Sequence, residues 1–158
     1  VSNSTVIKFG DRWLEAYDVS RSVLLTETAR VGEQWTGPAW LPQVLRHLRL
    51  TAGICDLAWL IDRDWPREGL DTLIRLLEAA NQRLLRRGVI TAAEARELWP
   101  ADDQSRLTWQ PGEVLPAESV VALGETVIAL IRGTLPPDPP GAPHCYGSDR
   151  YRELVHPR

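Results

Sequence analysis

The sequence lacks most of the features that announce a function directly. Lysine is nearly missing: Lys8 stands alone beside 17 arginines, and 21 acidic residues leave a net charge of −3. That balance carries none of the basic footprint of a nucleic-acid binder, so no nucleic-acid partner is expected. The arginine bias reads first as a coding bias, although the planar guanidinium also suits buried and interfacial pairing. Cysteine occurs twice, at Cys55 and Cys145, too few for a disulfide framework, which makes a reducing cytoplasm the expected compartment. Methionine is absent, so the chain as given lacks an ordinary initiator, and residues 1–10 do not resemble a signal peptide. The one apolar run of membrane length, Trp40 to Ile61, would carry Arg46, His47, Arg49 and Asp56 into hydrocarbon, which excludes it as a span. No phosphate-cradling glycine loop, nucleophile elbow or zincin motif is present.

What remains is a chain of 158 residues, 44% hydrophobic, enough to bury one sizeable core. The run from Trp40 to Ile61 reads as a helix whose second half is apolar almost all round, which places it at the centre of a bundle. Leu70, Leu73, Ile74, Leu77, Asn81 and Leu84 recur at helical spacing, and Arg83, Arg86 and Arg87 fill the last turn, where positive charge suits the helix dipole. Gly88 is expected to cap that helix in a left-handed conformation with Val89 against Leu84. Thr91 and Glu94 then form a capping box that opens a short helix closed by Pro100. Pro116, the stripe Val120, Leu123, Val127 and Ile131, and Gly133 describe another amphipathic helix. The interior Gly124 suggests close approach of a neighbouring helix.

The first thirty residues allow two readings, a helix from Arg12 toward Arg30 capped by Asp11, or a hairpin of Val6 to Phe9 and Arg12 to Tyr17 around Gly10 and Asp11. The helix is preferred. The segment from Ala101 to Leu115 reads as a long loop carrying Trp109. PPDPPGAP at Pro136 to Pro143 favours extended polyproline conformation and ends the compact unit. The fold class expected is therefore all-α: a single-domain helical bundle of four to five helices over residues 1–135, with a small N-terminal β-hairpin as the variant, followed by a Pro-rich linker and tail over 136–158.

Candidate chemistry centres on the Trp40 to Ile61 helix. His47 and Asp56 fall on opposite sides of such a helix, so they cannot form a dyad, and any use of His47 needs a partner from another segment. Asp56 has no neighbour three or four residues away that can pair with a carboxylate. Burial would then demand a partner from another helix or a neutral acid. Arg49, Asp56 and Arg63 share a stripe in that helix, either a solvent-facing or interhelical seam or the polar patch of a pocket whose arginines hold a carboxylate or phosphate. Asp62 and Asp64 fail the EF-hand register, since Arg67 stands where glycine is required. His144, Cys145 and His156 lack a zinc framework, so neither metal nor cofactor is expected. Of the seven tryptophans, Trp35, Trp65 and Trp109 lie in loops beside Gly or Pro, where an indole that does not fold inward can anchor a partner.

These residues point to a non-enzymatic helical interaction protein of adaptor, regulator or toxin-neutralising type, binding a partner protein through an acidic, tryptophan-bearing surface. The competing expectation is a small all-α enzyme or ligand-binding module with an apolar interhelical pocket containing His47, Asp56 or Arg49. Whether there is catalysis is left open by the sequence. A homodimer through an amphipathic helix is compatible with either.

Overall fold

The structure, a computed structural model, describes residues 4–54, 57–94 and 114–136. Strands β1 (Ser4–Phe9) and β2 (Arg12–Tyr17) form an antiparallel hairpin in which Phe9 faces Arg12 across Gly10 and Asp11. Gly10 takes φ +63 at the first central position of this two-residue turn, as the turn hand that matches strand twist requires. Thr5 and Ile7 on β1, and Leu14 and Ala16 on β2, alternate into the core. A two-residue strand β3 (Trp59–Leu60) pairs in parallel with the other side of β1, giving the order β2-β1-β3.

Helix α1 (Asp18–Glu33) follows directly from β2, and α2 (Leu41–Gly53) packs against it. A short helix α3 (Ile61–Asp64) and a 3-10 turn at Arg67–Gly69 lead into α4 (Leu70–Arg87). Strands β4 (Val89–Thr91) and β5 (Val114–Pro116) pair antiparallel, and helix α5 (Ala117–Arg132) lies against α1 and α4.

This mixed architecture, largely helical with two small sheets, corrects the all-α bundle expected from the sequence. Two local reasons account for it. The N-terminal residues alternate with a period of two on either side of a glycine turn, and a hairpin followed by a helix from Asp18 satisfies both that period and the helical run behind it. The Trp40 to Ile61 run is not one helix: it stops at Gly53, Ile54 is extended at φ −108 and ψ 110, and Trp59–Leu60 spends its backbone groups on β1. With the helix broken, Arg49 and Arg63 stand on different helices, and Asp56 lies outside the described residues.

The central helix is α1, which is buried along nearly its whole length by α2, α4 and α5. Ser20, Ser22, Thr26, Thr28, Ala29 and Gly32 keep its surface small enough for neighbours to approach on several sides. Thr28 returns its hydroxyl proton to the Leu24 carbonyl at 2.7 Å, which removes one polar group from the balance without a partner helix. By contrast α2 is one-sided, burying Leu41, Leu45, Leu48 and Ala52 at spacings of four, three and four.

Three buried charges sit on α1, at Asp18, Arg21 and Glu27. Arg21 is fully buried, with Nη2 2.9 Å from Asp18 Oδ1 and donating to the Ile54 carbonyl at 2.9 Å, while Nη1 donates to the Leu57 carbonyl. Thr5 adds its hydroxyl to the same Leu57 oxygen at 3.1 Å. Arg21 therefore fixes the exit from α2 by gripping it on both sides of residues 55–56. Glu27, equally buried, lies 2.9 Å from Arg83 Nε and 3.7 Å from Arg87 Nη2 on α4. Neither Glu27 oxygen is met by a well-aligned N–H despite the short Arg83 distance, so the attraction there is mainly Coulombic.

Several sequence expectations hold. The α4 stripe buries Leu73, Ile74, Leu77, Asn81 and Leu84. The capping box forms, with Thr91 N–H donating to Glu94 Oε2 at 2.7 Å and Glu94 N–H to Thr91 Oγ1 at 3.2 Å. Gly124 is a close-approach site, because a Cβ there would stand 2.2 Å from Asn81 Oδ1 on α4. Gly133 ends α5 in the left-handed region. The end of α4 differs in detail: Gly88 has φ +75 but ψ −54, Val89 is exposed, and Ile90 takes the inward position as strand β4 begins. Among the described residues no helix is long and apolar enough to cross a membrane.

Candidate functional site

The connection between α1 and α2, residues 34–40, is built by glycine and proline. Gln34 and Trp35 close the last turn of α1 through backbone bonds to Val31 and Gly32, of 3.1 and 3.0 Å. Gly37 and Pro38 then prevent the helix from continuing, and Leu41 N–H returns to the Pro38 carbonyl at 3.0 Å before Pro42 enters the first turn of α2. The result is a corner with a groove of about 540 Å³ beside it. Leu41 and Leu45 form the floor, Trp35, Pro38 and Pro42 the walls, and Glu33, Arg46 and Arg49 the charged rim.

Trp35 is 37% exposed, the one tryptophan among the described residues to be counted with the exposed large apolar side chains. Arg75 from α4 places its guanidinium carbon 5.8 Å from the centre of the ring, a cation–π contact worth about 0.5–1 kcal/mol at an exposed site. The ring thus has a cationic neighbour while the residue stays 37% exposed. Opposite it, Arg49 grips Glu33 with its fork: Nε donates to Oε1, and Nη2 to Oε2 at 2.7 Å. The same contact holds the Glu33 carboxyl below the usual glutamate range and raises the Arg49 guanidinium further above its own. Arg46 is exposed and forms no ion pair among the described residues.

The sequence-derived candidates separate in space. Trp35 and Arg49 come together at the groove. His47, half-exposed on α2, lies outside it, with Nε2 3.9 Å from Asp64 Oδ1. The sequence required such a partner from another segment without identifying it. The distance is that of an ion pair and too long for a hydrogen bond, and Arg63 Nε stands 3.8 Å from the same oxygen. Trp65 is not a surface anchor: it is 2% exposed, donates its indole N–H to the Gly69 carbonyl at 2.7 Å and packs edge-on against Trp40 at 6.0 Å. Asp56 and Trp109, like Cys55, Cys145 and the two tail histidines, lie outside the described residues. Among the described residues no group of three metal-compatible side chains forms.

Arg46, Pro42 and Leu45 at the groove were missed in the sequence. The signal available was the GPAWLP corner, which must place consecutive turns of α2 beside Trp35, but periodicity alone gave α2 to a longer buried helix. Also missed were Arg21 and Glu27; Glu27 pairs with α4, and Arg21 adds the Ile54 carbonyl, 33 residues away, to its pairing with Asp18. No family model, curated protein or solved structure matches the chain.

Proposed function

We propose that this chain is a non-enzymatic interaction module that binds a partner protein at the α1–α2 corner, with Trp35 as its anchor. The observation that carries the reading is a partly exposed indole, with Arg75 against its ring, at an apolar groove beside a Gly–Pro corner. A side chain held this way loses little further entropy on binding, and indoles are over-represented among the residues that dominate interface energetics. Among the described residues, the charged surroundings of Trp35 are chiefly arginine: Arg46, Arg49 and Arg75 beside the one carboxylate of Glu33.

The test is quantitative affinity capture from the native cell with wild type and Trp35→Ala, each first shown to melt alike. Retention of a specific protein by wild type, falling tenfold or more in the variant, is the expected result. An unchanged set of captured proteins would refute the anchor. A second reading, a pocket for a small acidic ligand, is favoured by the groove volume, which lies within the range of small-molecule sites, and by two arginines at its rim.

A further inference from the structure

The groove has a chemical polarity opposite to that of the chain. In a protein of net charge −3, the described residues lining the groove include two arginines, Arg46 and Arg49, against one carboxylate, Glu33, and Arg75 lies across the Trp35 ring. The floor between them, Leu41 and Leu45, is apolar. Arg49 is already committed, but to an ion pair whose side chains are 38% and 44% exposed. An exposed pair of this kind contributes little net free energy, so it exchanges readily for another carboxylate. Arg46 has no such commitment among the described residues.

Resting on the proposed binding role of this corner, we infer that its occupant is an acidic peptide segment, one apolar side chain flanked by carboxylates. The apolar side chain lies between Trp35 and the Leu41–Leu45 floor. One flanking carboxylate meets Arg46, and a second takes the Arg49 fork from Glu33. Glu33 thus acts as a resident competitor, occupying the arginine until a partner's carboxylate displaces it. The planar fork of Arg49 is suited to bidentate carboxylate recognition, and its present pairing shows it in that geometry. Charge complementarity of this kind selects partners and speeds their encounter more than it adds affinity, so binding weakens as salt rises.

The discriminating variant is Glu33→Gln. If Glu33 were only structural, its loss would weaken the corner and any binding there. As a competitor, its loss frees Arg49 and tightens binding by about two- to fivefold, the range that an exposed ion pair spans. The experiment is panning of a random dodecapeptide display library on the full chain. Affinities of the enriched peptides are then measured for wild type, Trp35→Ala, Arg46→Glu and Glu33→Gln, with free succinate as a small-anion probe.

Supporting results are enrichment of Asp and Glu beside an apolar residue, affinity that falls with salt, loss of tenfold or more in Arg46→Glu and Trp35→Ala, and tightening in Glu33→Gln. Peptides without acidic enrichment that still depend on Trp35 would overturn the inference and leave the binding role standing. Succinate competing as strongly as the peptides would overturn it in favour of a small anion. The absence of any Trp35-dependent peptide would overturn both.

Discussion

Arg21 offers the sharpest test of how this fold is held. Its guanidinium is fully buried, 2.9 Å from Asp18, and donates to the carbonyls of Ile54 and Leu57. Replacing it with Met removes the cation while roughly preserving the volume of the stem. The Asp18 side chain is only 7% exposed, so its carboxylate is left buried without its cation, and two carbonyls lose a donor. Breaking a buried pair from one side in this way costs about 3–5 kcal/mol. That is a large fraction of the roughly 5–15 kcal/mol that holds a typical domain together.

Urea denaturation followed by far-UV circular dichroism and tryptophan fluorescence reads the effect as a fall in midpoint of about 1–5 M, given the usual range of urea dependence. The double variant Asp18→Asn with Arg21→Met removes the uncompensated charge as well and is expected to recover part of the loss. The two single costs should therefore not add. Arg21→Lys keeps the charge but not the fork, and provides an intermediate loss should the Met variant fail to fold. A Met variant within about 1 kcal/mol of wild type, or strict additivity in the cycle, would refute the assignment of Arg21 as the clamp on the α2 exit.

Glu27→Met should behave differently, because Arg83 and Arg87 are 31% and 27% exposed and can rehydrate once the carboxylate is gone. We expect its stability to stay within about 1 kcal/mol of wild type in the same denaturation, because the cations left behind are partly in water and no fully buried charge is left unpaired. Gly69→Ala should lose about 1–3 kcal/mol by overpacking, since its Cβ would stand 2.4 Å from Trp40 Cη2 and 2.7 Å from Trp65 Nε1; a melt unchanged from wild type would contradict the packing. Acid should weaken the fold through Glu94 and Glu33. Their folded pKa values lie below the ordinary 4.5, held down by the Thr91 backbone and hydroxyl bonds at Glu94 and by Arg49 at Glu33. A depressed carboxyl contributes fully above its unfolded pKa, and the contribution is lost as pH falls through the lower folded value. Stability measured from pH 6 downward should therefore decline below about 4.5, and less steeply in Glu94→Gln.

The periodic parts of the molecule were legible from residue order because their physics is local. A one-sided stripe such as Leu73, Leu77 and Leu84 needs only a core on one side to become α4, and Thr91 with Glu94 satisfies backbone donors within one turn. Gly124 was also readable as a point of close approach, although the residue it admits, Asn81, was not. Trp35 and Arg49 were identified individually, but their shared groove was not, since it exists only once Gly37 and Pro38 turn α2 back beside the end of α1.

Tertiary structure decided what sequence windows cannot contain. Whether Trp40 to Ile61 continues as a helix depends on β1 offering a parallel edge to Trp59, some fifty residues distant in the chain. Whether α1 is central depends on neighbours on several sides, and a helix mixing Ser, Thr, Arg and Glu with apolar residues shows no stripe to announce it. Trp65 folded inward because Gly69 left room for its ring and supplied a carbonyl for its N–H. Composition and periodicity thus determined which segments would bury surface, since transfer from water acts residue by residue. Which surfaces met, and which tryptophan among the described residues stayed outside, was set by non-local hydrogen bonds and packing.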